Sequence, residues 1–116
     1  MKVSFEGIGE NVVTFYNSSA GGVHSAGIPV KLTGNGEVSG CADGDRFFGV
    51  SIVCKEDFVS VQNAGYVETA YSGTAPEVGY ARLLADGADG VKTGGSGGEF
   101  LVVGVDTANG TIGFML

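Results

Sequence analysis

An all-β fold, a small single-domain barrel or sandwich of short strands, is what this sequence predicts. Three observations carry that prediction. Glycine supplies 22 of the 116 residues, against about 7% in ordinary proteins. The glycines follow no three-residue period and sit between apolar runs, where they serve turns and bulges. The stretch "AGIPVKLTGNGEVSG" (26–40) sets Ile28, Val30, Leu32 and Val38 two apart on either side of Asn35-Gly36. An Asn-Gly pair between alternating apolar residues is the strongest short-range hairpin signal, because a type I′ turn needs positive φ at both central positions. The remaining apolar runs are short, rich in Val, Ile, Phe and Tyr, and bounded by turn residues, with no convincing helix.

Taken in order, "VVTFYN" (12–17) is a β-branched and aromatic strand ending at the turn-like "NSSAGG". "IPVKLT" (28–33) and "VSGCA" (38–42) are the two arms of the Asn35-Gly36 hairpin, with Pro29 marking a strand start or an edge. "RFFGVSIVCK" (46–55) is nearly continuous in apolar residues, which predicts a strand buried on both faces. "FVSVQNAGYVETAY" (58–71) divides at Asn63-Ala64-Gly65 into two alternating strands. "SGTAPEVG" (72–79) is a loop, and "YARLLAD" (80–86) a strand. "DGADGVKTGGSGG" (86–98) is predicted as one long Gly-rich loop. "EFLVVGVD" (99–106) and "TIGFML" (111–116) form a terminal hairpin across "TANG", its apolar run packed at the C-terminus. The total is eight or nine strands, with no strict internal repeat and no linker.

Hydrophobic residues make up 43% and charged residues 16%, a globular balance rather than a disordered one. The net charge of −7 excludes the cationic footprint of a nucleic-acid binder and sets the chain against an anionic membrane surface. Glu6 and Glu10 interrupt any apolar signal-peptide core, and no run has the length of a membrane helix. An intracellular product with reduced cysteines is expected. Cys41 and Cys54 are read as small buried hydrophobes; a disulfide between them requires that their strands be neighbours.

The chemistry-bearing residues form no recognisable constellation. His24 is the only histidine, in a loop sequence, and there is no nucleophile elbow of the G-x-S-x-G type. Asp43 and Asp45 in "ADGDRF" begin like a calcium loop, but the twelfth position from Asp43 is Cys54 where a Glu is needed. "GGSGGEFLV" (94–102) is one copy of a glycine-rich motif that holds calcium only when stacked. "GADGVKT" lacks the order of a phosphate-binding loop. No enzyme activity, catalytic residue, cofactor or metal is expected. Tyr66, Tyr71 and Tyr80 bracket the loop 72–79. Tyrosine suits a surface that is apolar on one edge and wet on the other. The three serve as a sugar or peptide platform, or as packing with hydroxyls at the rim.

The phrase "GIPVKLTGNGEVSGCADGDRFFGVSI" resembles small β proteins encoded in the head-gene clusters of tailed bacteriophages and prophages. The shared rhythm is G-x-P-V-x-L, G-x-V, D-G-D and F-x-G-V. "VQNAGYVETAYSGTAPEVGYARLLADGADGVK" and "EFLVVGVD" resemble the same group, so the likeness covers about residues 22–106. It implies a capsid decoration, or head-stabilising, protein with a barrel, β-tulip-like or β-clip-like fold. Such proteins form trimers on the outside of the virion shell and clamp neighbouring major capsid subunits. The protein would be made in the bacterial cytoplasm, and its partners would be the major capsid protein and its own copies. The segment "MKVSFEG" alternates Val3 and Phe5 with polar residues. It either adds a strand to an exposed capsid edge or is an ordinary first strand. Residues 1–11 are accordingly an extended arm or part of the single β domain spanning 1–116. Val3, Phe5, Tyr66, Tyr71 and Tyr80 are the candidate contact residues. The rival function is a carbohydrate- or receptor-binding β module of a phage tail or head fibre, favoured if the three tyrosines share one exposed face.

Overall fold

Short alternating segments separated by glycine cannot bury enough surface as hairpins alone, and here they close into two linked five-stranded units. The computed structural model describes residues 11–18, 22–87 and 90–116. Among these residues there are ten strands and no helix. The first unit holds β1 (Asn11–Asn17), β2 (Pro29–Gly34), β3 (Glu37–Gly40), β4 (Gly49–Cys54) and β5 (Phe58–Ala64). They form a closed barrel in the order β1-β3-β2-β4-β5. The second holds β6 (Tyr66–Ala70), β7 (Gly79–Ala85), β8 (Val91–Thr93), β9 (Gly98–Asp106) and β10 (Thr111–Met115), in the order β6-β10-β9-β7-β8.

The Asn35-Gly36 hairpin is present as predicted. Gly36 has φ of 66°, and the two-residue turn pairs Gly34 with Glu37. Alternation then sends Val30 and Val38 inward, where with Val23, Ile28, Val59 and Val61 they fill the barrel. A second core lies between the barrel wall and the inner face of the second sheet. Phe47 and Val50 project from the first unit into Val67, Leu83, Ala85, Val91, Val102, Ile112 and Phe114 of the second. Phe47 stacks on Phe100 at 5.1 Å, and Phe114 meets Phe100 edge-on at 5.4 Å. Backbone bonds Gly44 N–H to Ala85 O and Ala85 N–H to Asp45 O, both 2.9 Å, stitch the units together. This shared core makes them one domain.

The two units repeat one topology. In the first, β1 pairs antiparallel with β5, β5 with β4, β4 with β2 and β2 with β3, and β3 returns to β1 in parallel. In the second, β6 pairs antiparallel with β10, β10 with β9, β9 with β7 and β7 with β8. The circuit returns through a single parallel bridge, Tyr71 to Val91. Each strand of the second unit thus stands where the strand five places earlier stands in the first. No strict repeat is visible in the sequence, because such a topology needs only alternation and turns, which different residues supply.

Two segments depart from expectation. The run 46–55 is not a strand buried on both faces: the strand begins at Gly49, and Ile52 and Val53 are both exposed. A register shift between Ser51 and Val53 is the cause, since a bulge breaks the alternation of faces. The stretch 86–98 is not a continuous loop, because Val91–Thr93 inside it forms β8 against β7. Cys41 and Cys54 are free thiols. β2 separates their strands, and they pack against different cores, so the neighbour condition for a disulfide is not met.

Candidate interaction surface

The outer face of the second sheet carries a row that register alone creates. Tyr66 on β6 stands opposite Met115 on β10, Met115 opposite Leu101 on β9, and Leu101 opposite Tyr80 on β7. Register partners in an antiparallel pair point to the same face. Four large side chains therefore run side by side across four strands, roughly 14 Å at the usual strand spacing. The other face of these strands is the core, with Val67, Phe114 and Val102. The row grows more exposed toward β7: Tyr66 and Met115 are half-buried, Leu101 is 38% exposed and Tyr80 74%. Val78, just before β7, is 68% exposed. Arg82 and Glu99 face each other on the same side, one step along, and give the row a charged border.

Tyr66 lies flat because Gly113 has no side chain. A Cβ at Gly113 would stand 1.9 Å from the Tyr66 hydroxyl, so the ring occupies that place. The hydroxyl donates to Glu68 Oε2 at 3.0 Å. Burial first, then this carboxylate, hold the phenol pKa above its ordinary value.

Of the residues singled out in the sequence, Tyr66 and Tyr80 share this face, at opposite ends of the row. Tyr71 does not join them. It bridges to Val91 and packs against the inner cluster, so the three tyrosines form no single platform. Val3 and Phe5 lie outside the described residues. Leu101 and Met115 were not singled out; their signal was their place in a terminal hairpin, with no hint of the cross-strand register.

A second exposed apolar area lies on the barrel wall. Tyr16 and Phe58, 60% and 47% exposed, are register partners with ring centroids 5.5 Å apart. Ile52 and Val53 are exposed on β4. A cleft of about 670 Å³ opens between the units beside His24, Lys31, Cys41 and Ala85. Its chemistry is quiet. Lys31 Nζ meets Asp45 Oδ2, and Lys92 pairs with Asp43 at 2.6 Å. Both acids of "ADGDRF" are thus matched by lysines of the protein. The Lys31 hydrogen bond, with the Ala42 N–H, holds the Asp45 carboxyl below its usual range. Burial pushes the Cys41 thiol up to about 11, so at neutral pH it is a protonated thiol rather than a nucleophile. His24 is exposed. Among the described residues, no group of three or more His, Cys, Asp or Glu could hold a metal ion. Compared with known families and curated proteins, the chain matches no family model and no curated sequence.

Proposed function

We propose that this protein is a capsid decoration protein of a tailed phage or prophage, binding the outside of the mature shell and clamping neighbouring major capsid subunits. The observation that carries this reading is the row Tyr66–Met115–Leu101–Tyr80, an apolar and aromatic strip on a sheet face that nothing else in the chain's described residues covers. Strips of this kind, rich in Tyr and Met, suit protein interfaces. The resemblance of the 27–52 stretch to head-cluster proteins supplies the partner. The net charge of −7 favours the outer surface, since packaged DNA repels an acidic protein. The action is mass action: binding the assembled shell but not its free subunits stabilises the shell by RT ln(1 + [L]/Kd) at each site.

The test is co-sedimentation with cognate expanded heads that lack the protein. Wild-type chain should pellet with heads, and Leu101→Glu should weaken binding by tenfold or more, because it places a charge mid-row. Thr107→Glu, in the β9–β10 turn, serves as the matched control. Failure of the wild-type chain to pellet would refute the proposal. Light scattering after size exclusion tests the trimer: a mass near three times 11.7 kDa is expected if the threefold contact forms without the shell.

A further inference from the structure

The strand β6 has one partner and one open edge. Tyr71 N–H bonds Gly110 O at 3.0 Å, which fixes the alternation: residues 67, 69 and 71 turn their backbone groups toward β10. The groups of Glu68, and the Ala70 N–H, therefore point the other way, where no strand lies opposite them among the described residues. This edge opens on a cleft of about 340 Å³ between Ser25, Ala26 and Gly27 on one side and Glu68, Thr69 and Ala70 on the other. Apart from Glu68 and Ile28 the lining is small side chains, leaving room for larger ones. Inside, the Thr69 hydroxyl is buried, with the residue 5% exposed, and has no hydrogen-bond partner. An unpaired strand edge is a template for another strand, and addition of an extended segment satisfies its backbone groups.

We propose that this edge is a strand-acceptor site and that its occupant is the N-terminal segment of the same chain, within residues 3–9. Three observations select this occupant. Asn11, the first described residue, pairs with Ala64, two residues before β6 begins. Ten residues precede Asn11; extended, they reach up to roughly 33 Å, about twice the length of β6. "KVSFE" also alternates apolar and polar residues, as a strand covering a half-buried edge does. The proposal does not rest on the capsid reading. It gives Val3 and Phe5 a place in the chain's own fold.

Amide hydrogen exchange on the 116-residue chain tests it. The Glu68 and Ala70 amides should be protected in the full chain, and should exchange at least tenfold faster once residues 1–10 are deleted. Amides of Val59 and Val102, in the two cores, report that the truncated protein remains folded. Should the deletion unfold it, Ser4→Pro and Phe5→Pro keep the length while removing one N–H of either alternation, and at least one should release the same two amides. Equal exchange at Glu68 and Ala70 with and without the segment overturns the proposal. So does protection that grows with protein concentration, which would make the occupant a strand from a second copy.

Discussion

Gly113→Ala tests the geometry of the exposed row at its most constrained point. A Cβ there would stand 1.9 Å from Oη, 2.5 Å from Cζ and 2.7 Å from Cε1 of Tyr66, where carbon atoms prefer roughly 3.5–4 Å. The Gly113 backbone itself is not in the left-handed region, so alanine is acceptable to the chain and the ring must leave. Overpacking of this kind costs about 1–3 kcal/mol, and includes the Tyr66–Glu68 hydrogen bond, worth roughly 0.5–1.5 kcal/mol. Against this, alanine is better than glycine inside a strand by about 0.5–1 kcal/mol. The net expected loss is about 1–2 kcal/mol. In a Tyr66→Ala background the obstruction is gone, and the same substitution should stabilise by about 0.4–1 kcal/mol. The two sites should therefore be coupled by about 2 kcal/mol, within the range for residues in contact. Urea unfolding of the four proteins measures this; with m near 1–3 kcal/mol/M, the midpoint of Gly113→Ala should fall by roughly 1 M. Equal effects in both backgrounds would show that the ring does not lie on Gly113.

Phe114, fully buried between Phe47 and Phe100, should cost about 3–5 kcal/mol when truncated to alanine; a loss below about 1 kcal/mol in the same assay would deny the shared core. Asn17 donates Nδ2 to Val23 O and Lys55 O, both 2.9 Å, and its Oδ1 accepts the Val23 N–H at 2.8 Å. Asn17→Ala should lose about 1–3 kcal/mol and speed exchange of the Val23 amide; unchanged exchange there would contradict the bond. Cys41, with its thiol raised to about 11, holds its proton more tightly folded than unfolded, where the pKa is about 8.5. Its contribution is complete below that unfolded value and is lost as pH climbs toward 11. In a Cys54→Ser variant, the alkylation rate should rise with a midpoint near 11; a midpoint at the ordinary thiol value would refute the burial.

Elements whose signal is local were legible in the sequence. The hairpin at Asn35-Gly36 is a statement about two residues' φ, and the strands on both sides follow from alternation. The break at Asn63-Ala64-Gly65 was equally visible, though not that it divides barrel from sheet. What was hidden depends on register. A bulge after Ser51 turns Ile52 and Val53 outward together, and an apolar run gives no sign of it. β8 is three residues long, too short to show a period inside a Gly-rich stretch. The exposed row joins residues from four strands far apart in sequence, so Tyr66 and Tyr80 could be named as candidates while Leu101 and Met115 could not. Tyr71 was grouped with them by proximity along the chain, and its bridge to Val91 takes it inward.

The repeated circuit of strands has a consequence for assembly. One chain presents the same order of strand pairings twice, closed as a barrel in one unit and returned by a single bridge in the other, dressed in two different sets of side chains. Three such chains around an axis would display six like strand circuits while keeping true threefold order in their chemistry.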